Sequence, residues 1–175
     1  MTDTLIRIPT VETERLRLRA PKPGDFEAYA SFRHGPRSHS VGGPFTREQA
    51  FVQFCALVGH WHMRGYGRWI VADRATDVTL GAVGPYYPEG WLEPEIAWAM
   101  FDGHEGKGYA TEAARAALDF AFGTLGWQTA VSLVAPDNHR SAAVAQRVGA
   151  VREGVYHHES IGALDVWRHP KPGAA

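Results

Sequence analysis

Gly106-Lys107-Gly108-Tyr109-Ala110-Thr111-Glu112-Ala113 joins a strand-like run, Pro94 to Phe101, to a helix-like run. Glycine and alanine alternate where the helix begins. Backbone without large side chains at a helix start can lie directly against an anion, because the first N–H groups have no acceptor within the helix and the helix dipole favours negative charge there. Two readings follow: a phosphate-bearing ligand, or a tight turn that needs glycine. The spacing excludes two familiar phosphate sites. No Gly-Lys-Ser/Thr closes a P-loop, and no Gly-x-Gly-x-x-Gly marks a dinucleotide fold.

Helical spacing continues from about Gly108 to Phe122, with Ala110, Ala113, Ala114, Ala117, Leu118 and Ala121 on one face. Side chains this small let a helix approach a sheet closely. Toward the N-terminus, Arg15 to Ala20 alternates charge with apolar residues, which reads as a strand with Leu16 and Leu18 inward and Arg15, Arg17 and Arg19 on a solvated face. Asp25 is placed to cap a helix beginning at Phe26. His34 to Phe45 reads as a loop. Thr46-Arg47-Glu48-Gln49 is a capping box that starts a second helix, in which Ala50, Phe51, Phe54, Cys55, Leu57, Val58 and Trp61 form an apolar stripe. Strands follow at Arg68 to Ala72 and Thr79 to Val83, joined by a hairpin at Asp73 to Asp77, then at Trp91 to Met100 with Pro94 as an irregularity. Thr129 to Val134 is a strand, Asn138 to Arg147 a short helix, and Val151 to Tyr156 and Leu164 to Trp167 are closing strands. This order predicts an α/β domain with a mixed central sheet of about six or seven strands flanked by helices.

The 175 residues suit one domain, expected over residues 10–169 with loose ends at 1–9 and 170–175. Hydrophobic residues at 45% and charged residues at 21% are globular values, and a net charge of −1 gives no global argument for nucleic acid or an anionic membrane. No apolar run approaches the ~20 residues of a membrane span, and no export signal opens the chain. The lone cysteine, Cys55, excludes an internal disulfide framework and fits a reducing, cytoplasmic setting. Its place in the helix stripe makes it a buried apolar residue rather than a nucleophile. Nine histidines form no familiar ligand spacing: His60 and His62 do not share a helix face, and His157 and His158 point apart on a strand, so no metal is expected.

Glu93 and Glu95, two apart on a strand, share a face. They are either a solvated strand surface or a carboxylate pair able to supply a general base. Asn138 is a natural helix N-cap, with Ser141 in the first turn after it.

Glu95 to Phe101 followed by Glu105 to Ala113 resembles the acetyl-CoA site of the GNAT acetyltransferases, and most of all the branch containing the ribosomal-protein N-terminal acetyltransferases. That family's pyrophosphate loop, Gln/Arg-x-x-Gly-x-Gly/Ala, maps to Glu105 through Ala110. Asn138-His139-Arg140-Ser141 with Val148-Gly149-Ala150 resembles its Asn-x-x-Ser helix, and Thr13 to Arg19 its first strand. The resemblance spans residues 12 to 168. It implies a single-domain GNAT-like fold that moves an acetyl group from acetyl-CoA to a primary amine, on a small molecule or a peptide, by direct transfer. A homodimer is an allowed assembly, and nucleic acid and membrane are not implied partners. It also implies that Ala97, Trp98, Gly106, Lys107, Gly108, Tyr109, Ala110, Thr111, Asn138 and Ser141 bind the cofactor, that Glu95 handles the amine proton, and that Ser141 sits by the cofactor sulfur. Three departures stand out. Ala145 replaces the tyrosine that commonly serves as acid, Glu105 replaces Gln or Arg, and Gly149-Ala150 replaces Gly-Phe. The first keeps open a non-catalytic acyl-CoA-binding or sensing domain on the same fold. Lys107 either compensates the Glu105 charge or is solvated. The loop from His34 to Phe45 has no acidic residue, which favours a peptide N-terminus or a small neutral or anionic amine over a polycation.

Overall fold

In a computed structural model, which describes residues 5–171 and 173, the alternating run near the N-terminus becomes strand β2 (Leu16–Arg19), paired with the two-residue β1 (Val11–Glu12). Leu16 and Leu18 are fully buried, each worth about 1.5–3 kcal/mol. After it come α1 (Phe26–His34), α2 (Arg47–Arg64), β3 (Trp69–Asp73), β4 (Thr79–Tyr86), β5 (Glu95–Met100), α3 (Tyr109–Gly123), β6 (Ala130–Val134), α4 (His139–Arg147), β7 (Val151–His158) and β8 (Gly162–His169). The sheet has eight strands in the order β1-β2-β3-β4-β5-β6-β8-β7, and every neighbouring pair is antiparallel except β5 and β6.

The alanine stripe does what its small side chains allow. Ala113, Ala114, Ala117 and Ala121 are fully buried, and α3 lies over β4 and β5 on one face of the sheet. On the other face α1 and α2 pack Tyr29, Phe32, Phe54 and Leu57 against Ile70, Ala82 and Phe101. The capping box forms as read: Gln49 N–H donates to Thr46 Oγ1 at 3.2 Å, and Thr46 N–H to Gln49 Oε1 at 2.9 Å. The segment expected as a loop contains a 3₁₀ helix, Pro36–Val41. The strand expected from Trp91 begins only at Glu95, since Pro94 has no N–H for a ladder.

Two expectations of burial fail. Cys55 is exposed, not buried, because the inward face of α2 is narrower than its apolar stripe and holds Ala50, Phe54, Leu57 and Trp61. Arg19 is not on a wet face: it is 5% exposed and forms a two-pronged ion pair with Asp25, 3% exposed, at 2.8 and 2.9 Å. Asp77 in the β3–β4 hairpin takes the Arg19 Nε at 2.8 Å. Asp25 occupies the N-cap of α1, yet its carboxylate caps nothing there. It accepts instead from Arg19, Thr79 and the Lys22 N–H. Burial raises the Asp25 pKa, and these hydrogen bonds outweigh burial and bring it below the usual carboxylate value.

The expected loose ends fall partly on residues 1–4, 172, 174 and 175, which lie outside the described residues. Within the described part, Ile6 and Ile8 pack on the main core and Pro9 C=O accepts from the Trp69 indole at 2.8 Å.

Asp25→Ala leaves the buried Arg19 guanidinium with the partly exposed Asp77 as its remaining ion-pair partner among the described residues and is expected to cost about 3–5 kcal/mol, read as a lower urea midpoint with unchanged slope. A loss below about 1 kcal/mol, the value of an exposed pair, would show that Asp77 and water suffice for Arg19.

Candidate active site

Strands β5 and β6 pair at one register position, Glu95 with Val131, where the Val131 N–H donates to Pro94 C=O at 3.2 Å. A continuing parallel ladder would next send the Leu133 N–H to Ile96 C=O. Side chains intervene instead. Ser132 Oγ donates to Ile96 C=O at 2.6 Å, and Leu133 N–H donates to Glu95 Oε2 at 3.0 Å. From there the strands splay. The register of β5 on β4 directs the Ala97 and Ala99 backbone to β4, so the Trp98 backbone N–H and C=O face the gap.

Ser132 is itself held. Its single hydrogen goes to Ile96 C=O, so His169 Nε2, 2.8 Å away, must be the donor of that contact. His169 is therefore the neutral tautomer protonated at Nε2. Burial, with help from the Arg168 charge, drives its pKa down to about 4. Its Nδ1 is buried without a partner.

The gap joins the two faces of the sheet. On the α3–α4 side lies the glycine loop. Gly106 and Gly108 have φ of +73° and +82°, the left-handed region that side chains resist, and Gly108 is the N-cap of α3. The first helical bond runs from Glu112 N–H to Gly108 C=O, leaving the N–H groups of Tyr109, Ala110 and Thr111 without an acceptor in the helix. Gly106, Gly108, Tyr109, Ala110 and Thr111 all line the cleft. Lys107 does not: its ammonium turns back to Gly103 C=O at 2.8 Å. Glu105 faces Arg37 at 3.2 Å, which lowers the cost of its charge near the loop.

Arg15, expected on a solvated strand face, joins this site. Its Nε donates to Glu112 at 2.7 Å, its Nη1 to Lys107 C=O at 3.1 Å, and its guanidinium stacks over the Tyr109 ring at 4.8 Å. It thus reaches the cleft beside the glycine loop. A pairing across almost a hundred residues leaves no local sequence signal.

Asn138 caps α4, its Oδ1 accepting the Ser141 N–H at 3.1 Å. Ser141 Oγ accepts from the Trp98 indole at 3.3 Å, tying α4 to β5 across the gap. Ala97, Trp98, Asn138 and Ser141 all line the cleft. Ala145 is fully buried with Val134, Ala150 and Trp167, so that position gives the core a methyl and the cleft nothing.

Glu95 opens on the other face, that of α1 and α2, beside its cross-strand partner Tyr86. It lines the cleft though only 5% exposed, and burial pushes its pKa up to about 7, against the Leu133 N–H, the Trp91 indole and the Arg68 charge. Glu93 does not join it, contrary to the shared-face expectation. It precedes β5 and is clamped by Arg168 at 2.6 and 2.9 Å, in a network with Glu153. Among the described residues no three metal-binding side chains converge, and no helix is long and apolar enough to cross a membrane.

Residues 15–151 match the family model for an acetyltransferase (GNAT) domain. A crystal structure of an acetyltransferase from Agrobacterium tumefaciens str. C58 is 38% identical, with a TM-score of 0.86 over 97% of this chain and 98% of that one. YkkB of Bacillus subtilis (strain 168) is 37% identical over a stretch covering 51% of this chain, so the chain spans just over half, 56%, of that curated relative. The structure of RimL, a ribosomal L7/L12 alpha-N-protein acetyltransferase in complex with coenzyme A, superposes with a TM-score of 0.75 over 93% of this chain and 98% of that one, and at 16% identity shares the fold. The chain belongs to the GNAT acetyltransferase family, whose members use acetyl-CoA.

Gly108→Val forces a branched side chain into the left-handed region at about 1–2 kcal/mol, and a Cβ there would already lie 3.3 Å from Arg15 Nη2. If binding must restore the loop, acetyl-CoA affinity falls roughly tenfold in calorimetry on the folded variant. Unchanged affinity would remove the loop from the cofactor site.

Proposed function

We propose that this protein transfers the acetyl group of acetyl-CoA to a primary amine by direct attack in a ternary complex. The observation that carries this is the gap between β5 and β6. It has unpaired helix N–H groups on one side, a single buried carboxylate with a pKa near neutrality on the other, and an unpaired strand N–H between them.

Acetyl-CoA supplies the activated acetyl group. The N–H groups from Gly106 to Thr111, at the positive end of the α3 dipole, receive its pyrophosphate, and Arg15 adds a positive charge beside them. The Trp98 N–H faces the thioester carbonyl in the gap and favours negative charge on its oxygen. Asn138 and Ser141 hold the mouth of the gap through α4, next to the cofactor arm and sulfur. Glu95 accepts the proton the amine must lose, directly or through water; a base poised near 7 combines correct protonation with useful driving force. The absence of a tyrosine at Ala145 is tolerable, since a thiol of pKa near ~8.5 leaves as thiolate far more readily than an alkoxide. Cys55 lies outside the cleft, which argues against an acetyl-enzyme. The acceptor is a small amine or a peptide N-terminus. The reading of an acyl-CoA-binding domain without turnover draws on Ala145 and is separated by thiol release in the presence of amines.

Glu95→Gln preserves an acceptor for the Leu133 N–H, and so the fork, while removing the base. It is expected to lower kcat by ~10²–10⁴ with little change in acetyl-CoA affinity. In the wild type, kcat/KM for the amine should rise with pH and level off above about 7, because Glu95 works only when deprotonated; the Gln variant should lose that inflection. An unchanged kcat would assign Glu95 to the fork alone. Cys55→Ala should retain full turnover, and an acetyl adduct on Cys55 that passes to amine would overturn direct transfer.

A further inference from the structure

Two cations stand in the cleft beside Glu95 without anions. Arg33, in the last turn of α1, and Arg68, just before β3, both line the cleft with Glu95. Two other arginines of the cleft are matched, Arg15 with Glu112 and Arg37 with Asp102 and Glu105, while Arg115, Arg140 and Arg147 line it from α3 and α4, on the opposite face of the sheet from Glu95. Among the described residues no carboxylate forms an ion pair with Arg33 or Arg68. Arg33 uses only its Nε, which donates to Gln53 at 2.6 Å. Arg68 Nε is buried with no hydrogen-bond partner at all. Burial lowers the Arg33 pKa, and the Arg68 charge lowers it further, so the two guanidiniums feel each other inside the protein. Arg68 also acts on Glu95 and on His60, which places its charge centrally on this wall.

Stacking fixes both groups without neutralising them. The Arg33 guanidinium lies 4.2 Å from the Phe45 ring centre and 5.9 Å from that of Tyr29, and Arg68 lies 4.4 Å over Tyr86. A guanidinium laid on an aromatic face keeps its edge donors free in its own plane, the geometry that receives a carboxylate by two parallel hydrogen bonds. Burying two like charges close together without a partner is costly, and a bound anion removes that cost. Glu95 alone does not supply it, because that carboxylate is engaged by Leu133 N–H and must become protonated as the amine reacts.

We propose that the acceptor is a primary amine carrying a carboxylate a few bonds from its nitrogen, held by Arg33 and Arg68 so that the amine points at Glu95. This deepens the acetyl-transfer reading and rests on it. The carboxylate belongs either to a free amino acid or to an acidic side chain next to a peptide N-terminus.

The test pairs each amino carboxylate with its neutral amide: glycine, β-alanine and L-phenylalanine against glycinamide, β-alaninamide and phenylalaninamide. C-terminally amidated dipeptides with Asp or Asn in second place distinguish the peptide source. Acetyl-CoA affinity is measured alongside by calorimetry. Carboxylate acceptors of one arm should show kcat/KM roughly ten- to hundredfold above their matched amides. Arg33→Met and Arg68→Met should erase that preference with acetyl-CoA affinity intact, and Arg68→Lys should restore part of it. Equal use of acids and amides, an equal loss for both in the Met variants, or tight acetyl-CoA binding with no turnover of any acid overturns the proposal. Loss of acetyl-CoA binding by the wild type overturns the acetyl-transfer reading instead.

Discussion

One parallel strand pair that stops after a single register position governs this molecule. A sheet that continued its ladder between β5 and β6 would seal its two faces from each other. Ser132 and Glu95 take the bonds the next rung would have made, so the strands part without leaving Ile96 C=O or Leu133 N–H unsatisfied. That satisfaction matters, because a buried backbone group left unpaired costs about 1–3 kcal/mol. The helix start with its unpaired N–H groups lies on one face and the buried carboxylate on the other. The gap connects the two, which is what lets them serve one reaction in the transfer we propose.

In the transfer we propose, the same fork gives Glu95 two tasks whose demands differ. As a plug it needs only an oxygen toward Leu133. As a base it needs a raised pKa, which comes from the burial that plugging imposes. A carboxylate on a solvated strand face, the alternative the sequence allowed, would keep an ordinary value near ~4.3 and be mostly inert at neutral pH.

What could be read from the chain follows the range of the interaction. The capping box at Thr46, the alanine stripe of α3, the glycine loop and the Asn138 cap are set by residues within one or two turns, and each is where the spacing put it. Fold and family followed from those elements in order. Arg19 with Asp25 and Asp77, Arg15 with the glycine loop, and Glu93 with Arg168 depend on partners up to about a hundred residues away, which periodicity does not encode. The apolar stripe of α2 misled for a related reason. Helical spacing tells which residues share a face, not how wide a strip the neighbouring sheet covers, and Cys55 lies beyond that edge. Arg33, in the last turn of α1, and Arg68, just before β3, come together only because the fold sets both in one cleft.

His169 gives the fork a property of its own. Protonating the ring at Nδ1 would place a cation in an apolar pocket with nothing to receive its new hydrogen, and the group resists this down to a pH near 4. Its donation to Ser132 therefore stays the same across the range in which Glu95 gains and loses its proton. The scaffold of the opening is chemically silent where the carboxylate on its wall responds to acidity. In the transfer we propose, a shift in pH then changes how often Glu95 is ready to take a proton while the contact that holds the strands apart stays as it is.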